Sequence, residues 1–412
     1  MRARRLRAGW VFPVAGPPIR RGAVLLDEHG TIIAVGPADT VPLPPGVPDQ
    51  DFPGGVLFPG LINTHTHLEL TGFDTAEPDA PFADWIRGVR AFKNRRQPAD
   101  FHAAACRGLA ECHGSGVTTI ADTGDSGSVI AALADLGGRG IYYQEVFGPH
   151  PDQWAESLLG LQERIAELSR FTSQQVRLGV SPHAPYSVSG PLYHATARWA
   201  RETGWPMAVH IAESADESAL LADATGRFAE QWARRGLPMP PPGRSPVEWL
   251  DENGVLGPAT LCIHVVRAHA GDIARLAERG AAVAHCPLSN QRHGHGNAPL
   301  RALLDAGIRV GIGTDSVASV GRLDLLAEAR AARELAGLTA AQTLAMLTTG
   351  GAAALGIADQ VGELRPGLAG DCAVWELPNT ESADAPVLLE SWLAGAGKVV
   401  ATWIGGREVY RQ

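Results

Sequence analysis

The stretch Phe58-Pro-Gly-Leu-Ile-Asn-Thr-His-Thr-His67 is an apolar run that ends in two histidines spaced two residues apart. Alternate residues of a β-strand point to the same face, so a strand here directs both imidazoles toward one point. Imidazole nitrogen is a common ligand of Zn²⁺ and other transition metals. The spacing alone is weak evidence, because two histidines beside a turn are an ordinary occurrence. Their position at the end of an apolar run favours a metal site.

Further apolar runs follow along the chain and alternate with segments of helical periodicity. The eight runs are residues 56–65, 116–123, 140–146, 176–183, 206–213, 260–266, 281–287 and 308–315. Helical patterns between them include residues 154–170, 191–202, 272–279 and 324–336. Eight strand-then-helix units in about 300 residues predict the α/β class and a (β/α)8 TIM barrel.

Both chain ends carry short strand-like segments, and neither end holds enough apolar residues to bury a core alone. We therefore expect a small β-sandwich domain formed by both termini. The predicted domains are residues 1–57 (N-terminal part of the sandwich), 58–358 (metal-dependent barrel) and 359–412 (C-terminal part). The longest excursion from the barrel pattern, residues 214–248, is either a lid over the site or a surface insertion.

Titratable residues stand at the ends of all eight apolar runs, where such a barrel places its chemistry. They are His65 and His67, Asp122, Glu145, His183, His210 and Glu213, His264, His285, and Asp315. A lone histidine at a strand end is more often structural, but a complete set of this kind favours a functional site. A second pair of histidines two residues apart, His293 and His295, lies in a glycine-rich segment and receives no assigned role.

Composition and the remaining motifs exclude several classes of protein. The chain has 412 residues, 45% of them apolar and 19% charged, which is globular composition. Its net charge of -9 argues against a nucleic-acid binder. We expect no membrane partner, because no apolar run approaches the ~18 residues of a membrane span. The basic start of the chain lacks the apolar region of a signal peptide, and the five cysteines form no C-x-x-C, so we expect a cytoplasmic protein.

Five motifs of this sequence occur in the order in which one known enzyme family carries them. Beyond residues 58–67 they are Val209-His-Ile-Ala-Glu213, Leu261-Cys-Ile-His264, His285-Cys-Pro-Leu-Ser-Asn290 and Gly313-Thr-Asp315. The chain resembles the amidohydrolase superfamily, and within it the metal-dependent deaminase and chlorohydrolase branch. By that resemblance one divalent metal is bound by His65, His67, His210 and Asp315.

The resemblance also implies roles for residues beyond the metal ligands. Glu213 and His264 match the family's acid/base and second histidine, and Asp315 joins them as a catalytic residue. His183 matches a position that often contacts substrate. Apart from the resemblance, Glu69 and Glu145 are substrate-binding candidates; the alternatives are a solvated or structural carboxylate for Glu69 and a barrel-end ion pair for Glu145. Ser289 and Asn290 are expected to shape the seventh loop.

The lysines bear on the number of metals. Binuclear members of the superfamily usually bridge two ions with a carboxylated lysine at the end of the fourth strand. Here that strand ends at residues 179–183 without lysine, and the chain's two lysines, Lys93 and Lys398, lie away from strand ends in the sequence. We therefore expect one metal per chain. Three imidazoles and a carboxylate suit Zn²⁺, and Fe²⁺ or Mn²⁺ accepts the same donors.

Resemblance also suggests the reaction. Residues 64–70 and 181–187 are most similar to enzymes that deaminate 6-aminodeoxyfutalosine, an adenine nucleoside of menaquinone biosynthesis. Deaminases of S-adenosylhomocysteine and methylthioadenosine share the metal ligands and are the alternative, as is a chlorohydrolase or cyclic amidohydrolase. The sequence thus predicts an aminohydrolase of cyclic amidines with a small nucleoside-like substrate; homo-oligomerisation stays open.

Overall fold

The computed structural model describes residues 2–73 and 80–412, which form two β-sheets flanked by helices. In these ranges the strands are β1 Arg4–Val11, β2 Ile19–Leu26, β3 Ile32–Pro37, β4 Asp49–Pro59, β5 Leu61–Thr66, β6 Val117–Gly124, β7 Arg139–Val146, β8 Val176–Pro182, β9 Met207–Ile211, β10 Thr260–His264, β11 Ala282–His285, β12 Val310–Ile312, β13 Cys372–Glu376, β14 Lys398–Ile404 and β15 Arg407–Arg411.

Most of the helices follow barrel strands. They are α1 Phe82–Lys93, α2 Pro98–Gly114, α3 Ser128–Leu136, α4 Trp154–Leu168, α5 Gly190–Thr203, α6 Ala215–Asp223, α7 Gly226–Arg234, α8 Pro246–Glu252, α9 Ala270–Arg279, α10 Pro287–Arg292, α11 Leu300–Asp305, α12 Val317–Val320, α13 Leu325–Ala336, α14 Ala340–Leu347, α15 Thr349–Ala354 and α16 Ala385–Leu393. Short 3-10 turns lie at Leu68–Leu70, Pro151–Gln153 and Ser169–Phe171.

Strands β5 to β12 form one parallel sheet in chain order and confirm the predicted (β/α)8 barrel. The backbone N–H groups of Thr314 and Asp315 both donate to the carbonyl of His65 at 3.0 Å, which joins the last strand end to the first. Every residue of β5, β6 and β7 is buried, because a parallel sheet is covered on both faces. The strand ends therefore converge on one buried face.

The second sheet is built from both chain ends, as predicted, in the order β15-β14-β13-β4-β1-β2-β3. Strand β4 lies at its centre, parallel to β1 and antiparallel to β13. A buried ion pair connects this sheet to the barrel, where Arg139 Nε donates to Asp371 Oδ2 at 2.7 Å. Strand β1 lies next to β4 inside this sheet, and β15 and β3 are its edge strands.

The first predicted run, residues 56–65, is two strands rather than one. It divides at Gly60, whose N–H donates to the carbonyl of Asp371. A Cβ at this position would lie 2.0 Å from Thr118 Oγ1, so a side chain has no room there. Strand β4 ends at Pro59, close to the predicted limit at residue 57, and the division into three segments stays a prediction.

The excursion over residues 214–248 contains α6, α7 and the start of α8. Its α7 packs on the loop that follows β8, where the rings of Phe228 and Tyr186 stack with centroids 4.0 Å apart. Trp232 Nε1 also donates to the carbonyl of Tyr186 at 2.8 Å. The excursion therefore lies against the loops at the C-terminal ends of the strands.

Among the helices of residues 2–73 and 80–412, none has both the length and the apolar character needed to cross a lipid bilayer.

Candidate metal and catalytic site

The four predicted metal ligands lie together at the C-terminal face of the barrel. His65 and His67 come from the end of β5, His210 from β9, and Asp315 from the segment after β12. Asp315 Oδ1 is 3.5 Å from Nε2 of His65 and 3.5 Å from Nε2 of His67. Nε2 of His67 is 3.4 Å from Nε2 of His210. The strand ends thus bring three imidazoles and one carboxylate to a common point.

Hydrogen bonds at the outer ring nitrogens fix which nitrogens face this point. His67 Nδ1 lies 2.7 Å from the carbonyl of Thr123, and His210 Nδ1 lies 3.3 Å from the carbonyl of His183. A carbonyl only accepts, so both Nδ1 atoms carry the proton and both Nε2 atoms present lone pairs. Two lone pairs facing each other at 3.4 Å repel unless a cation lies between them.

The spacing of these atoms fits one tetrahedral divalent ion. Zn²⁺ ligands at about 2.0–2.1 Å in tetrahedral geometry lie about 3.3–3.4 Å from one another. The separations of 3.4 and 3.5 Å between these atoms match that geometry. Among the described residues, the buried Nε2 of His65 has no hydrogen-bond partner, as expected of a nitrogen reserved for a metal.

The ionisation of the ligands also suits a metal. Burial lowers the pKa of His65 to about 3 and holds the pKa values of His67 and His210 below the ordinary value. These imidazoles are therefore neutral at pH 7, which metal ligation requires. Although burial opposes it, the neighbouring His65 and His67 imidazoles hold the pKa of Asp315 well below its usual range.

Ser289 and Asn290, the predicted residues of the seventh loop, hydrogen-bond to two side chains of the site. Ser289 Oγ donates to Asp315 Oδ2 at 2.6 Å, and the backbone N–H of Ser316 donates to Asp315 Oδ1 at 2.7 Å. Asn290 Oδ1 accepts from His264 Nδ1 at 2.9 Å. Both the carboxylate and the His264 ring are thereby fixed.

Glu213 lies beside this centre with its carboxyl buried. Its Oε1 is 3.5 Å from Nε2 of His264 and 3.5 Å from Nε2 of His295. Burial raises the pKa of Glu213 to about 7, with His264 acting in the opposite direction. A carboxyl with such a pKa carries a proton part of the time at neutral pH, as a general acid must.

Glu217 positions Glu213 and was missed by the sequence reasoning. Its carboxylate accepts hydrogen bonds from the backbone N–H groups of Ala212 and Glu213, both at 2.8 Å.

The backbone is left-handed at three strand ends of the site. Ala212 has φ +50°, and His264 and Asp315 have φ +74° and +59°. Such strained conformations persist only where the surroundings over-determine them, and they cluster at functional sites.

The structure brings two of the three substrate-binding candidates to the metal ligands. Ligand atoms of Glu145, His183 and His210 lie within 4.8 Å of one another. His183 Nδ1 lies 2.7 Å from Ser187 Oγ, whose own proton goes to the carbonyl of Ala184. His183 therefore donates through Nδ1 and presents a lone pair at Nε2.

Glu69, the third candidate, is held in a buried ion pair. Lys93 donates to Glu69 and, at 2.5 Å, to Asp125, and Ser126 donates to the other Glu69 oxygen. In the sequence Lys93 lies away from strand ends. In the structure it is the last residue of α1, and its ammonium group lies beside Asp125, the residue that follows β6. Among the described residues, Lys93 donates to these carboxylates and to none of the four proposed metal ligands, which is consistent with a single metal.

Comparisons with known proteins agree with this arrangement. Residues 56–409 match the model of the amidohydrolase family. The chain belongs to the amidohydrolase family. This confirms the predicted superfamily, whose members hydrolyse bonds such as C–N with a metal centre.

Individual relatives extend the comparison. A 5-methylthioadenosine/S-adenosylhomocysteine deaminase of Symbiobacterium thermophilum is 30% identical over 98% of this chain and 93% of its own length. A zinc-bound structure of an adenosine deaminase from Xanthomonas campestris has 27% identity and a TM-score of 0.86, covering 99% of this chain and 93% of that one. The aminofutalosine deaminase of Helicobacter pylori shares the fold, with 22% identity, a TM-score of 0.84 and coverage of 99% and 100%.

Proposed function

We propose that this amidohydrolase uses one Zn²⁺ ion to remove the 6-amino group of an adenine nucleoside with a modified 5′ side. The proposal rests on two groups of side chains that lie next to each other at the C-terminal face of the barrel. A neutral three-histidine, one-aspartate centre lies beside a buried glutamic acid with a pKa of about 7. A cyclic amidine needs both, because its ring nitrogen must be protonated as water attacks the amino-bearing carbon.

The relatives support the substrate class and the metal. The Symbiobacterium relative is named for two adenosine derivatives, and the Xanthomonas structure holds zinc. Within this class, 6-aminodeoxyfutalosine is our first choice, on the resemblance of residues 64–70 and 181–187. S-adenosylhomocysteine and methylthioadenosine follow. Menaquinone biosynthesis is the process that the first choice implies.

The chemistry divides between the metal and the protein side chains. An ion held by His65, His67, His210 and Asp315 would lower the pKa of water toward neutrality. Asp315 takes the first proton of the attacking water, and His264 orients that water. Glu213 donates its proton to the ring nitrogen, which gives a tetrahedral intermediate. Asp315 then passes its proton to the amine, ammonia leaves, and the hydroxyl proton returns to Glu213.

Two side chains beside the centre form the proposed contact to the rest of the substrate. His183 presents a lone pair at Nε2, and buried Glu145 Oε1 has no partner among the residues described. Burial raises the pKa of Glu145 to about 8, so this carboxyl can donate a hydrogen bond at pH 7. One acceptor and one donor so close together suit a polar edge or hydroxyl of a nucleoside.

Ammonia release from a substrate panel tests the proposal. The panel is 6-aminodeoxyfutalosine, S-adenosylhomocysteine, methylthioadenosine, adenosine, guanine and a chlorotriazine. We expect a 5′-modified adenosine to give the highest kcat/KM. If guanine or the chlorotriazine is preferred by more than about tenfold, a transition-state difference of ~1.4 kcal/mol, the nucleoside assignment is wrong.

The pKa of Glu213 predicts the pH dependence of the reaction. Since burial raises this pKa to about 7, the protonated carboxyl is fully present below that pH and is lost as pH rises through it. We expect kcat/KM to fall above about pH 7, approaching tenfold per pH unit. Steady-state rates from pH 6 to 10 will show this limb, and Glu213→Gln should lack it. A wild-type profile that stays flat to pH 10 would exclude Glu213 as the acid.

A further inference from the structure

One member of the second histidine pair, His295, lies beside the carboxyl of Glu213. We infer that His295 is a positioning residue whose Nε2–H holds the carboxylate of Glu213 after that residue has given up its proton. The inference rests on the proposed function only in the role it gives to Glu213. It assigns a task to a side chain that lies outside the family motifs quoted above.

The geometry places His295 at the reactive oxygen of Glu213. His295 Nε2 is 3.5 Å from Glu213 Oε1, with both side chains only 4% exposed. Within the described part of the chain, this nitrogen has no hydrogen-bond partner. The separation is longer than a formed hydrogen bond, but catalytic hydrogen bonds are often long before substrate binds and tighten in the complex.

The other imidazole at Glu213 is unsuited to this task. His264 donates through Nδ1 to Asn290, so its Nε2 carries a lone pair while the ring is neutral. That lone pair can accept a proton from Glu213 but cannot donate to the carboxylate. An ionised carboxylate buried without a donor is costly. His295 lies at the same distance, and no described residue hydrogen-bonds to its Nε2, so this nitrogen can carry the proton that is donated.

Aromatic neighbours hold the His295 ring in place. Phe82 meets it edge to face, with centroids 4.5 Å apart and an 88° angle between the planes. The His293 ring stacks with that of His295 at a centroid distance of 5.5 Å, and its own centroid lies 4.4 Å from that of Trp85. A ring packed in this way loses little freedom when it forms the hydrogen bond, which suits a positioning role.

Two substitutions at His295 differ only in where they place an amide N–H. In His295→Gln the amide nitrogen reaches the position of Nε2, whereas in His295→Asn it reaches only that of Nδ1. We expect the Gln variant to keep kcat within about threefold of wild type. The Asn variant should lose about 10–100-fold in kcat, the worth of a hydrogen bond to a charged group, with KM within about threefold. Zinc content and thermal unfolding serve as controls for folding.

The effect should also depend on Glu213. In a Glu213→Gln background, His295→Asn should change the remaining kcat by less than about threefold, because residues that act through one another are not additive. Equal losses in both backgrounds would overturn the inference. So would equal activity of the Gln and Asn variants, or a rise in KM at constant kcat, which indicates substrate contact instead.

A spectroscopic measurement tests the inference without turnover. The measurement is the NMR spectrum of zinc-loaded protein with ¹⁵N-labelled histidine at pH 8. The imidazole nitrogen signals that are absent from the spectrum of His295→Gln belong to His295. We expect these signals to show that Nε2 carries the proton; a proton on Nδ1 would overturn the inference. If the wild type releases no ammonia from any nucleoside yet His295 carries the Nε2 proton, the proposed function fails and the positioning role stands.

Discussion

His65→Ala should remove the metal and the deaminase activity together. Nε2 of His65 is buried, faces Asp315 and has no other partner in the described residues, so its loss leaves the ion one ligand short. A metal contributes several kcal/mol to the stabilisation of charge in the transition state, so activity should fall by about 10³-fold or more. Elemental analysis of the purified variant and ammonia release from the best substrate measure the two losses.

Two further histidine variants show whether the effect belongs to the proposed ligand set. His113→Ala removes another buried imidazole, one that lies at the end of α2 outside the site, and should keep both metal and activity. His264 lies within 4.8 Å of His65 and His210 but outside the four proposed ligands. His264→Asn should therefore lower turnover and retain zinc. A full complement of zinc in His65→Ala, or loss of zinc in His264→Asn, would contradict the ligand assignment.

Glu213→Gln should retain the metal and lower kcat by on the order of 10²–10⁴, the usual contribution of a general acid or base. The amide preserves the shape of the side chain and cannot deliver a titratable proton to the ring nitrogen. Because Glu217 fixes the Glu213 backbone rather than its carboxyl, the substituted side chain should occupy the same position. Single-turnover rates with the preferred nucleoside give the effect on the chemical step.

Zinc content and unfolding temperature of the Gln variant should match wild type, which separates a chemical effect from misfolding. Wild-type turnover by this variant would reduce Glu213 to a structural neighbour of His210. The proposed division of labour between Asp315 and Glu213 would then have to be abandoned.

The barrel was predictable because its strands are buried on both faces and read as continuous apolar runs. The meeting of His65, His210 and Asp315, which lie far apart in sequence, was predictable because parallel strands bring their carboxyl ends to one face. The division of the first apolar run into two strands at Gly60 was not predictable, because it depends on the close approach of Thr118 from a neighbouring strand.

Contacts between side chains that are distant in sequence could not be predicted either. Lys93 is 24 residues from Glu69, and only the path of α1 brings the two together. Glu217 binds the backbone at Ala212, where the chain is left-handed, and no local sequence motif predicts that conformation. His295 belongs to a glycine-rich segment to which the sequence assigned no role, yet the residue packs against Phe82 and is buried beside Glu213.

Titration of metal-free protein with zinc, followed by ammonia release from the preferred 5′-modified adenosine, tests the central claim most directly. One tetrahedral site of His65, His67, His210 and Asp315 predicts that activity rises linearly with added zinc and stops rising at about one equivalent per chain. A break at two equivalents, or no ammonia at any zinc loading, would contradict a one-metal deaminase.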